Sequence, residues 1–161
     1  MIFINSALSR LADRRLINRS YMPWRPIMKE KIKSHKDLRV YNNAMEAAMK
    51  IFELTKTFPP EENYSLTDQM RRASRSVCAR IGEAWRKRVN PAAFTARLND
   101  SESVACESQV WVEFARKCGY LKDEACNELD SAYDQILGQL FKMIKESDKW
   151  TIKSNQFSDW N

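Results

Sequence analysis

Residues 65–94 read SLTDQMRRASRSVCARIGEAWRKRVNPAAF, and the way this stretch divides decides the fold. Leu66, Met70, Ala73, Val77, Ile81 and Ala84 recur at alternating four- and three-residue steps, the spacing that lines one face of an α-helix with apolar groups. Ser65 is a helix-capping residue type, and Asp68 three positions on approximates a capping box. The pattern stops at Asn90-Pro91, an N-cap residue followed by proline at the first helical position, where a missing amide hydrogen costs nothing. A new helix therefore opens after a connection of only Val89 and Asn90, and so short a connection forces the two helices to lie antiparallel.

Working outward, the helix opened by Pro91 extends to about Lys117 and closes on Gly119, which suits a left-handed C-terminal cap. At ~1.5 Å per residue it is about 40 Å long. Upstream, Tyr41, Ala44, Met45, Ala48, Ile51, Phe52 and Thr55 define a helix from about Asp37 to Thr57, stopped by Phe58-Pro59-Pro60. Downstream, a fourth helix follows Asp123, carrying Ala125, Leu129, Tyr133, Ile136, Leu140 and Met143 on one side, and fades near Trp150. Three glycines in 161 residues argue against a turn-rich β fold. The expectation is an all-α, antiparallel up-down-up-down four-helix bundle over residues 34–150. A basic extension (1–33) precedes it and a polar tail (151–161) follows; Met28 offers an alternative start.

Charge is segregated along the chain. Residues 1–27 carry +4, residues 28–68 sum to zero, residues 69–88 carry seven Lys and Arg against one Glu, and residues 89–161 carry −4. On a helical wheel Arg71, Arg72, Arg75 and Arg86 fall within one arc of about 100°, away from the apolar stripe, and Lys87 and Arg88 prolong the run. Solvated helix faces usually mix signs, so this strip stands open to three readings: a wet outer face, a polyanion surface, or a subunit interface.

Arg80 and Trp85 flank the stripe on opposite sides, where a residue meets a neighbouring helix or subunit. The third helix has two apolar bands. One (Phe94, Leu98, Ser101, Ala105, Ser108, Val112) has small residues at its centre and admits a close neighbour; the other gathers Val104, Trp111, Phe114 and Cys118. Asp100 and Glu107 border the second band, so acids beside an aromatic patch on one subunit are expected to face the basic flank of the next in a head-to-tail ring.

No catalytic constellation is evident, and neither a Walker nor a Rossmann motif is present, so an enzyme is not expected. Cys78, Cys106, Cys118 and Cys126 show no C-x-x-C spacing and His35 lies apart from them, so neither a metal nor another cofactor is expected. Reduced thiols and the absence of an apolar run of about 20 residues point to a cytoplasmic protein with no membrane partner.

The blocks QMRRASRSV and EAWRKR, the helix opening PAAF, LNDSESVACESQVWVEFARKCGYL, and DLRVYNNAMEAAMKIFELTKTFP together resemble the four-helix bundle proteins encoded in intervening sequences of bacterial 23S rRNA genes. They are also similar to the accessory variability determinant of diversity-generating retroelements. The resemblance covers about Ser34 to Trp150, with Gln69, Arg71, Arg72 and Ala73 matching in the first block and Glu83, Trp85, Arg86 and Lys87 in the second. Arg80 and Gly82 stand where the family often has asparagine and alanine. The resemblance implies a homopentameric ring with a basic surface and, for the retroelement relatives, partners in structured RNA or RNA–DNA hybrid and a reverse transcriptase. A protein-interaction scaffold without nucleic-acid binding is the competing expectation.

Overall fold

The structure is a computed structural model that describes residues 32–152. Four helices make it up: α1 (Arg39–Leu54), α2 (Leu66–Arg86), α3 (Pro91–Lys117) and α4 (Asp123–Lys145). Each packs against the next, and α1 packs against α4, so the four close into an antiparallel bundle. The expectations for residues 1–31 and 153–161 lie outside the described residues.

The helix boundaries follow local chemistry. α1 begins two residues later than periodicity indicated, because Ser34 caps a short 3-10 turn, His35–Asp37, and Leu38 then adopts extended backbone. The Asp37 carboxylate takes the backbone amides of Lys33 and Ser34 at 2.9 Å each, and those bonds hold its pKa below the usual carboxylate range. At α3 the Asn90 side chain accepts the Ala93 amide at 3.1 Å, the cap expected of Asn-Pro. Its far end is a Schellman turn: Gly119, at φ +73°, donates to the Arg116 carbonyl at 3.0 Å while Tyr120 donates to Ala115 at 2.9 Å.

The start of α2 differs from the sequence reading. Ser65 makes no side-chain cap; its hydroxyl instead donates to Glu62, whose carboxylate accepts the Leu66 amide at 3.2 Å. Asp68, freed from a capping box, pairs with Arg72 at 3.7 Å. A carboxylate reaching from the preceding 3-10 turn, Pro60–Glu62, out-competes the shorter serine because an ionised acceptor makes the stronger bond.

All six residues of the α2 stripe are buried, as is every member of the first α3 band. Between them lies a close contact: Ser101 Oγ donates to the Val77 carbonyl at 3.2 Å, which only a small residue at that crossing allows. Phe94, Ile51, Met70 and Ile136 fill the centre beside Tyr133, each of these four side chains contributing about 1.5–3 kcal/mol on burial. At one end Tyr120 packs against Phe58, with ring centroids 5.3 Å apart, and donates to Glu62 at 3.1 Å, joining the α1–α2 and α3–α4 connections. At the other, the Ile152 amide donates to the Arg88 carbonyl at 2.9 Å.

Candidate nucleic-acid interface

The amphipathic pattern of α2 dictates that its arginines leave the core, but the neighbouring helix decides what each then meets. Arg72, Arg75, Arg86 and Lys87 are exposed. Arg71 is half-buried: its Nε–H donates to Thr55 Oγ1 at the end of α1, 2.8 Å away, and its guanidinium lies 5.0 Å from the centre of the Phe52 ring. Arg75 reaches the same ring at 5.8 Å, and Lys56 at 4.7 Å. Phe52, one of the recurring positions that define α1 in the sequence, is half-buried at the α1–α2 seam and carries three cations. Lys56 is bound by Glu53 at 2.7 Å; among the described residues no carboxylate pairs with Arg71 or Arg75.

Arg88, the last of the basic run, serves its own chain. It lies 3.3 Å from the Trp85 ring centre and its Nε–H donates to the Trp85 carbonyl at 3.0 Å. Burial, and secondarily the nearby Arg86 charge, lower its pKa from the usual guanidinium value, although a guanidinium so far from neutrality stays charged. This contact caps the C-terminal end of α2, where a cation also complements the helix dipole.

The residues read as a subunit interface separate into three groups. Trp85 is corrected outright: it is 5% exposed and belongs to the core, because the α2 apolar arc is wide enough to include it. Arg80 and Asp100 end one chain of ion pairs across α2 and α3, in which Arg80 meets Glu83 at 3.0 Å, Arg97 meets Glu83 at 3.5 Å, and Arg97 meets Asp100 at 2.8 Å. Both already have partners within the chain. Glu107, Trp111 and Phe114 stay together on the outer side of α3: Trp111 Nε1 donates to Glu107 at 3.1 Å and its ring stands 5.6 Å from Phe114, which is 52% exposed. With Leu66 and Gln69, Trp111 and Phe114 line a shallow groove between the start of α2 and the end of α3.

The sequence reading missed Phe52, Thr55 and Lys56. Phe52 and Lys56 are four residues apart, spacing that places a cation over a ring, but nothing local shows that Arg71 and Arg75 arrive at the same place. Among the described residues no three His, Cys, Asp or Glu side chains gather in a metal-holding arrangement, and no helix is long and apolar enough to cross a membrane.

An antiparallel four-helix bundle with a basic second helix is thus the class that the geometry defines. The family profile described as 23S rRNA-intervening sequence protein matches residues 36–142, and the chain belongs to that family. Its fold is similar to the crystal structure of a protein of unknown function from the S23 ribosomal protein family of Bacteroides thetaiotaomicron VPI-5482. That match has a TM-score of 0.60 and 26% identity, covering 66% of this chain and 95% of the other. No curated protein matches the chain.

Proposed function

We propose that this protein is a non-enzymatic, oligomeric bundle that binds structured RNA, or an RNA–DNA hybrid, through the phosphate backbone. The observation carrying this reading is the α2 surface: residues 69–88 hold seven Lys and Arg against one Glu, and Arg72, Arg75, Arg86 and Lys87 project from it into solvent. Such a surface neutralises phosphates and releases counterions, so binding is sequence-tolerant and steeply salt-dependent. Engagement of about four phosphates lowers affinity roughly 10²-fold between 50 and 200 mM salt. Family membership supports the bundle fold more than the function, and nucleic acid and a reverse transcriptase enter as partners only through the resemblance to retroelement accessory proteins.

The test is binding of a labelled RNA hairpin over a salt series, comparing the intact protein with Arg72→Gln/Arg86→Gln/Lys87→Gln. Micromolar or tighter binding that weakens with salt and is lost in the folded variant supports the proposal; absence of binding by the intact protein at 50 mM salt refutes it.

A second reading has its own observation. The patch of exposed Phe114 and half-buried Trp111, edged by Glu107, is the kind of apolar and acidic surface that a second copy of the chain covers, and a closed ring such as a pentamer satisfies a head-to-tail contact of this type. Light scattering of Trp111→Ser/Phe114→Ser against the intact chain tests it, an unchanged mass refuting this patch as the contact. Assembly without RNA affinity would favour a pure scaffold.

A further inference from the structure

The α1–α2 seam is more than a basic surface, because three cations converge on one ring there. Lys56, Arg71 and Arg75 lie 4.7, 5.0 and 5.8 Å from the Phe52 centroid. The two longest distances together bound any pair's separation at about 11 Å, close to the screening length of about 8 Å at physiological salt. Among the described residues, the one carboxylate paired with any of these three cations is Glu53, on Lys56. The ring's negative face offsets part of the three cations' charge, at about 0.5–1 kcal/mol for an exposed cation.

Geometry also orients the cluster. Thr55 Oγ1 donates to the Phe52 carbonyl at 3.1 Å and accepts the Arg71 Nε–H at 2.8 Å. That uses the inward nitrogen of the guanidinium, and among the described residues no acceptor takes the two terminal nitrogens. A guanidinium fixed through Nε with its fork free is prepared to bind an oxyanion in two places at once.

We propose that Lys56, Arg71 and Arg75, gathered on Phe52, form a built site that grips a single backbone phosphate of RNA, with Thr55 as the residue that positions Arg71. This rests on the RNA-binding reading and refines it. It divides the basic residues into two kinds: three that share one phosphate at the seam, and outer ones, Arg72 and Lys87, that each meet a phosphate of their own.

The salt slope distinguishes these, because it counts phosphates neutralised rather than cations present, at about 0.9 per phosphate in a duplex. The probe is an RNA hairpin without terminal phosphates, so that only backbone diesters are available. Removing three cations in Lys56→Gln/Arg71→Gln/Arg75→Gln is expected to flatten the slope by only about 0.9, whereas removing two in Arg72→Gln/Lys87→Gln flattens it by about 1.8. Thr55→Val is expected to weaken binding several-fold with the slope unchanged, and Thr55→Ser to restore it.

A loss of about 2.7 in the triple variant overturns the shared site, as does no change in either its affinity or its slope while the outer double variant still loses binding. In both cases RNA binding itself survives. No binding by the intact protein removes the RNA-binding reading and this one together. If the triple variant does not fold, exposed Arg75→Gln alone decides: weaker binding at constant slope supports the shared site, and a slope change of about 0.9 overturns it.

Discussion

Ser101 is the place where packing of the bundle can be tested most sharply. It is fully buried on α3, with Ala105 and Ser108 along the same band, and its hydroxyl reaches the Val77 carbonyl on α2 at 3.2 Å. Ser101→Ala removes one hydrogen bond but orphans nothing, since the Val77 carbonyl lies inside α2 and keeps its intrahelical amide; the expected cost is about 1 kcal/mol. Ser101→Leu loses the same bond and forces two more heavy atoms into a crossing where side chain already touches backbone. Overpacking adds about 1–3 kcal/mol, for a total of about 2–4. In urea, with a slope of roughly 2 kcal/mol per molar, the midpoints should fall by about 0.5 M and about 1–2 M. Val110→Leu, at an exposed α3 position, is the control and should shift the midpoint little. A Ser101→Leu protein as stable as Ser101→Ala would refute the claim that small residues set the α2–α3 distance.

Glycine substitutions should differ in sign: Gly138→Ala, inside α4 with open space around the new methyl, is expected to stabilise by up to about 1 kcal/mol, while Gly119→Ala, at φ +73°, costs about 1–2 kcal/mol, both read from thermal melts. Glu62 caps α2 with a carboxylate whose pKa is lowered first by the Ser65 hydroxyl and then by the Leu66 amide, so its contribution is present above the ordinary value of 4.5 and is lost as pH falls through the lowered one. The stability gap between the intact chain and Glu62→Gln should therefore be widest above pH 5 and shrink towards pH 3 in urea titrations. A thiol reagent at pH 8 should modify Cys106 and Cys118 quickly, with Cys78 and Cys126 reacting only in denaturant. Burial pushes the Cys78 thiol up to about 11; between pH 9 and that value the unfolded chain releases a proton the folded chain keeps, so stability falls as pH rises through the window.

Helix number, the antiparallel course, the α2 stripe and the small-residue band of α3 were legible in the sequence by itself. Each rests on information held within about four residues: apolar recurrence, Asn90-Pro91 opening a helix, Gly119 closing one. The same local logic misread Ser65, because the group that caps α2 comes from Glu62 on the preceding turn and not from the residue at the boundary. It also left open whether Trp85 meets a neighbouring helix or a second subunit, since a wheel gives a residue's angle but not the width of the neighbour that covers it.

Only the tertiary structure decided which charges meet. Arg71 and Arg75 look equivalent to Arg72 on one helix, yet the α1–α2 packing brings the first two to Phe52 and Lys56 and leaves Arg72 in solvent beside Asp68. Arg80 and Asp100, placed by sequence on a contact between subunits, are joined through Glu83 and Arg97 within one chain. The physical reason is that periodicity records what one helix needs buried, whereas pairing across a seam depends on register and crossing between helices, which no single helix encodes.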